Sequence, residues 1–150
     1  MKFQALNLPP ISNELFKKSE SDFLIYDIIR KKYLVLTPEE WVRQHFLHFL
    51  LANKYPKNLI SIEGATKYNQ LKKRTDILIY DRAGKPFLLV ECKAPTVKLN
   101  ENVLKQVLTY NQNIKAPYIA LTNGLTHLYG QLDIATKKIR QLTALPDFSC

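Results

Sequence analysis

Three polar residues interrupt the apolar middle of the chain at spacings that bring them together. Asp76 stands before ILIY (77–80), Glu91 follows PFLLV (86–90), and Lys93 comes two residues later. The surrounding segments, DILIYD (76–81) and KPFLLVECK (85–93), read as two strands joined through Arg82-Ala83-Gly84, a turn signal between β-rich runs. A turn centred on Ala83-Gly84 sets Asp76 directly opposite Glu91 on one face of the sheet, with Cβ atoms ~4.5–5.5 Å apart. Strand alternation returns Lys93 to the same face. Two carboxylates placed head to head repel, and a local rule broken in this way tends to mark function. A divalent cation between them removes the conflict, and Mg²⁺ favours hard oxygen ligands: carboxylates, waters and substrate phosphates. A metal, a lysine and two carboxylates on one patch suit the hydrolysis of a phosphodiester. The plain alternative is that strand ends carry Asp, Glu and Lys because they meet solvent. Glu91 speaks against it, because it follows FLLV in what should be a buried strand, where an acid needs a partner. A register slip of one residue would turn Asp76 to the other face.

The elements that must position these residues are legible to different degrees. Residues 1–20 form a poorly patterned lead-in, with Pro9-Pro10 excluding helix and Ser12-Asn13 reading as a turn. FLIYDIIRKKYLVL (23–36) predicts a hairpin with strands near 23–28 and 32–36. A helix starts at Thr37, a fitting N-cap, with Pro38 at the first position and Glu39-Glu40 at the positive end of the dipole. Thr37 and Glu40 also have capping-box spacing. Trp41, Val42, Phe46, Phe49 and Leu50 continue the helix as an apolar stripe that stops before Tyr55-Pro56. NLISIEG (58–64) predicts a strand. Residues 100–113 return to helical spacing through Val103, Leu104, Val107 and Leu108. APYIALTNG (116–124) is a buried strand ending at an Asn-Gly turn, and a last pair of strands flanks Ala135-Thr136-Lys137. This order predicts an α/β or α+β domain with a mixed central sheet.

Composition bounds the partner. The 150 residues suit one domain, and the 46% hydrophobic and 23% charged fractions are those of a globular protein. A net charge of +9 and a pI near 9.5 favour a polyanion, with nucleic acid ahead of an anionic membrane surface. Two cysteines, Cys92 and the terminal Cys150, argue against a disulfide framework and a four-thiolate zinc site. The N-terminal stretch lacks a signal-peptide core and no run has membrane-spanning length, so a cytoplasmic setting is expected. There are no internal repeats or linkers.

The stretch RTDILIYDRAGKPFLLVECKAP resembles the core of the PD-(D/E)xK nuclease superfamily. More narrowly, it is similar to the N-terminal nuclease domain of the type I restriction enzyme R (HsdR) subunit. The resemblance runs from PEEWVRQ through YIALTNG, roughly residues 37–125, so that residues 1–150 read as one nuclease-like domain in which 1–36 are an N-terminal extension. It implies a restriction-endonuclease-like α/β fold, a mixed sheet flanked by helices, and Mg²⁺-dependent cleavage of DNA in which Mn²⁺ can substitute. Asp76 and Glu91 would be metal ligands, joined by the backbone carbonyl of Cys92, whose side chain points away from the site. Lys93 would orient or activate the attacking water and stabilise charge at the phosphate. QVLTY (106–110) fits the QxxxY motif of such subunits, and Gln106 and Tyr110 share a helix face at i, i+4. Their bland reading is a surface Gln and a partly buried Tyr. Glu40 matches an acidic residue of the first helix that contributes to the metal site in relatives. Capping explains it equally, and the sequence does not decide between Glu39 and Glu40. The superfamily's Pro before the first Asp is replaced here by Arg74-Thr75.

The resemblance further implies restriction-modification subunits or a separate translocase as partners. No P-loop pattern GxxxxGK[ST] occurs, so no motor lies within these residues. A homodimer would be a natural route to double-strand cuts. Two rivals stand beside the nuclease: a non-cleaving nucleic-acid-binding module of the same fold, and a basic structural protein whose D…ExK is coincidence. No base-reading element is recognisable, so weak sequence preference is expected. Lys72-Lys73-Arg74 would touch phosphates or form a solvated loop, and Arg43, Arg82, Lys98 and Lys105 would extend that footprint. His45, His48 and His127 lack metal-ligand spacing, and Asn123-Gly124 suits turn chemistry.

Overall fold

The computed structural model describes residues 3–62 and 76–148. Its centre is a six-stranded sheet in the order β4-β5-β6-β7-β8-β9: β4 (Ile60–Ile62), β5 (Ile77–Tyr80), β6 (Pro86–Cys92), β7 (Tyr118–Thr122), β8 (His127–Asp133) and β9 (Lys138–Leu142). Among the described strands only β6 and β7 run parallel. A parallel pair needs a crossover, and helix α2 (Glu101–Ile114) supplies it. The chain is thus an α/β domain with a mixed sheet, the architecture of a restriction-endonuclease-like fold.

Strand alternation sorts the sheet into two cores. Ile77, Ile79, Leu88, Val90 and Cys92 pack with Val42, Phe46, Leu47 and Leu50 of helix α1 (Pro38–Ala52). Leu78, Leu89, Ile119 and Leu121 pack with Val103 and Val107 of α2 on the other face. Burial on both sides explains why β6 is an unbroken apolar run rather than an alternating one. Pro86 opens that strand, a position where the missing N–H does little harm. The start of α1 is as expected: the Thr37 side chain accepts from the Glu40 N–H at 3.0 Å, and Pro38 leads the helix. The reciprocal half of the capping box is not made, because the Glu40 carboxylate is engaged elsewhere. Asn100 caps α2 in the same way, accepting from Val103 N–H.

The expected hairpin at 23–36 is present as β2 (Phe23–Asp27) and β3 (Lys32–Val35). The lead-in, however, is not patternless. It contributes β1 (Phe16–Lys18), which pairs with β2 to make a separate three-stranded sheet. Ile11, Ile25 and Leu36 form its small core, covered by Phe3, Phe16, Phe23 and Trp41. Three residues of sequence FKK carry too little alternation to announce a strand. The five later strands expected in the larger sheet also form, whereas β4 covers only 60–62 of the expected 58–64, and residues 63 and 64 lie outside the described residues.

Candidate active site

The hairpin of β5 and β6 decides whether Asp76 meets Glu91. Its turn differs from the two-residue one expected: Asp81 closes a longer loop, accepting through Oδ1 from the N–H groups of Ala83 and Lys85 at 2.9 Å each. An irregularity between Ile79 and Tyr80 absorbs the offset. Beyond it Ile79 faces Leu88, Leu78 faces Leu89 and Ile77 faces Val90. Continued by one position, that register sets Asp76 across from Glu91, as the sequence predicts. Asp76 Oδ2 accepts from the Cys92 N–H at 2.7 Å, which ties the acid to the far strand. In an antiparallel ladder one residue turns its N–H and C=O to the same neighbour, so the Cys92 carbonyl shares that side. The Cys92 side chain lies in the α1-side core, and burial, with Asp76 adding, pushes its thiol well above the ordinary range.

Glu91 and Lys93 sit at the end of β6, with Lys93 Nζ 3.2 Å from Glu91 Oε2 and both side chains about a quarter exposed or less (26% and 21%). The Lys93 N–H donates to Thr122 O at 2.8 Å, extending the pairing with β7 past the strand itself. Burial, then the charge of Asp76, pushes the Glu91 carboxyl up to about 7 against the opposing pull of Lys93. The Asn123 side chain fixes the neighbouring loop. It donates to Val97 O at 2.9 Å and accepts from the N–H groups of Leu125 and Thr126, so its turn role is as expected.

Helix α1 closes the site from the other side. Arg43, expected only as part of a basic footprint, is instead buried among acids. Its Nη2 lies 2.6 Å from Asp76 Oδ1 and 2.7 Å from Glu39 Oε1, its Nη1 lies 2.6 Å from Glu40 Oε1, and its Nε reaches Asp76 Oδ1 at 3.2 Å. Burial opposes the guanidinium charge, yet Asp76 and Glu40 together raise its affinity for the proton. The other oxygen of Glu40 accepts from Arg30 and Gln44 at 2.9 and 2.8 Å. Arg30 and Gln44 converge in turn on Asp27, which has no exposed surface and also accepts from the N–H groups of Ile29 and Arg30. Burial would raise the Asp27 carboxyl, but the bonds from Arg30 and Gln44 outweigh it and hold it below its ordinary value. A chain of alternating charge therefore runs from Asp27 through Arg30, Glu40 and Arg43 to Asp76.

Sequence reading missed Asp27, Arg30 and Gln44 as parts of this arrangement. A signal existed: Asp27 interrupts FLIY…II as Glu91 interrupts FLLV, and Arg43 stands three and four residues after Glu40 and Glu39. Gln106 is exposed on α2 and makes no hydrogen bond to Asp76, Glu91 or Lys93, and Tyr110 packs partly buried against the α2-side core. Two of the three histidines are hydrogen-bonded into the fold, while the buried Nε2 of His48 has no hydrogen-bond partner among the described residues. His45 Nδ1 meets Trp41 O, while His127 bridges the Thr122 hydroxyl and Asn7 O. Lys72-Lys73-Arg74 lies outside the described residues.

Asp76 and Glu91 offer the hard oxygens a divalent cation prefers. Among the described residues no three His, Cys, Asp or Glu side chains converge as a coordination shell. The guanidinium of Arg43 stands between Glu39, Glu40 and Asp76 instead. The cluster holds five carboxyl groups (Asp27, Glu39, Glu40, Asp76, Glu91) and three basic side chains (Arg30, Arg43, Lys93). No helix among the described residues is long and apolar enough to cross a membrane.

Comparison with curated proteins gives no match. The family described as "Type I restriction enzyme R protein N terminus (HSDR_N)" matches residues 38–146, from the first residue of α1 to just past β9, which extends beyond the segment that carried the resemblance and leaves the small N-terminal sheet outside. With the match covering most of the chain and every strand of the large sheet, this protein belongs to the family of type I restriction enzyme R protein N-terminal domains.

Proposed function

We propose that the chain is a Mg²⁺-dependent DNA endonuclease whose site is built on Asp76, Glu91 and Lys93. The observation that carries this reading is the convergence of the three side chains at one end of the β5–β6 hairpin, inside the region matched by the family. The two carboxylates would hold the cation, with the Cys92 carbonyl as a third oxygen, while Glu40, bonded to Arg43, would act through that arginine rather than as a ligand. Held there, a divalent cation would supply a lowered pKa for bound water and a counter-charge for the phosphate. Lys93 then places its ammonium where negative charge builds in the transition state, which strengthens its effect in a partly dry site. Its backbone, pinned to Thr122, and its bond to Glu91 orient it in advance. Gln106 and Tyr110, one helical turn apart on α2, would serve the DNA backbone rather than the metal. The basic balance of +9 supplies attraction to that backbone. Restriction-modification subunits or a translocase are the fitting protein partners, and Mn²⁺ is expected to replace Mg²⁺.

The decisive experiment incubates the full chain with supercoiled plasmid and single-stranded DNA in Mg²⁺, Mn²⁺ or EDTA. Metal-dependent nicking is expected, reduced at least a thousandfold in Asp76→Ala, Glu91→Ala and Lys93→Ala, each of them folded. A variant with full activity would remove that residue from the mechanism. DNA bound but never cut, at any metal, would assign the chain to the non-cleaving module, for which the engagement of both Asp76 oxygens is the supporting observation.

A further inference from the structure

Every acceptor oxygen of Asp76 already has a donor. Oδ2 takes the Cys92 N–H, while Oδ1 takes both Nη2 and Nε of Arg43. A cation on Oδ1 would share that oxygen with a guanidinium, and two like charges on one atom in a buried site repel strongly. The Cys92 donor is a main-chain N–H fixed in β6 and cannot itself move aside. The Arg43 bonds can. Its Nη1 also holds Glu40 and its Nη2 also holds Glu39, whose side chain is 43% exposed, so the guanidinium can swing off Asp76 toward solvent while keeping two carboxylates.

We infer that Arg43 is the resident counter-ion of this cluster, and that a divalent cation binds by displacing it from Asp76 onto Glu39 and Glu40. The inference rests on the proposed metal site and adds a residue to it. Arg43 positions Asp76 before the cation arrives and sets how much cation is needed to occupy the site. The chain of bonds through Glu40 to Arg30 and Asp27 anchors the pivot about which it moves. Because Asp27 and Arg30 precede the region matched by the family, that anchor is supplied by the N-terminal extension.

Two measurements test it on the full chain. Calorimetric titration with MnCl₂ should show Arg43→Gln binding at least tenfold more tightly than the parent, with Arg43→Lys, which keeps the charge but loses the planar fork, in between. Equal or weaker binding by a folded Arg43→Gln overturns the inference while leaving the metal site standing. Binding by neither parent nor variant removes the metal site and the inference with it. Should Arg43→Gln fail to fold, ¹⁵N NMR of the parent gives the answer. On addition of Mg²⁺ the Arg43 Nε–H signal should move, while that of Arg30, bonded to Asp27, stays in place. An Arg43 signal unchanged at saturating Mg²⁺ overturns the displacement.

Discussion

The two halves of the site are built on opposite principles. On the α1 side, Asp27, Glu40, Arg43 and Gln44 are buried, and each makes two or more hydrogen bonds to the others or to Arg30 and Asp76. At the end of β6, Glu91 and Lys93 are partly exposed and share one ion pair. Burying charge is costly unless every group is paired, so the first half is committed to one geometry and fails as a unit when a member is lost. The second half has spare valence, which a reaction requires. On the proposed function, α1 and the N-terminal sheet hold the site and the end of β6 reacts.

Substitutions can break this comparison or make it sharper. The largest effect should come from the holding half. Asp27→Ala leaves Arg30, Gln44 and two backbone N–H groups without their acceptor, and should cost about 3–4 kcal/mol in urea unfolding; a loss under about 1 kcal/mol would show that the network is ornamental. Glu91→Gln should act in the opposite sense. The folded carboxyl titrates near 7 against an ordinary 4.5, so the folded state binds this proton more tightly than the unfolded chain does. The stability it contributes is fully present below pH 4.5 and is lost as pH rises through 7. In EDTA the glutamine variant should therefore match the parent at pH 4 and exceed it by roughly 2–3 kcal/mol at pH 8. Parallel pH curves for the two proteins would contradict this. The smallest effect belongs to Lys93→Ala, whose partly exposed ion pair is worth about 1 kcal/mol or less to folding although cleavage should vanish. A large drop in melting temperature would mean that Lys93 also holds.

What was legible in the sequence follows the same division. The proposed catalytic trio lies at the ends of two adjacent strands, so alternation and a short turn sufficed to set Asp76, Glu91 and Lys93 near one another. The turn itself was misjudged, but the irregularity at Ile79 and Tyr80 restored the register before it reached the site. The cap of α1 was equally plain, since Thr37 and Glu40 stand one turn apart. The holding half was readable only in its local pairs, because the bonds that join its elements link residues distant in sequence: Arg43 meets Asp76 across 33 positions and Gln44 meets Asp27 across 17. Charges on a helix face look the same whether they meet water or an acid from another element. The role of Glu40 shows the limit, because its place in the cap accounted for it fully while its carboxylate was bound to two arginines and a glutamine.

The single tryptophan gives this arrangement an optical consequence. Trp41 stacks on Phe3 at 4.9 Å, donates from Nε1 to Gln4 O, and packs against His45 on the helix that carries Glu39, Glu40 and Arg43. Its emission arises from the seam between the N-terminal sheet and α1. Intrinsic fluorescence therefore reports, without any label, whether the extension that carries Arg30 remains docked while the site is loaded or the chain is unfolded.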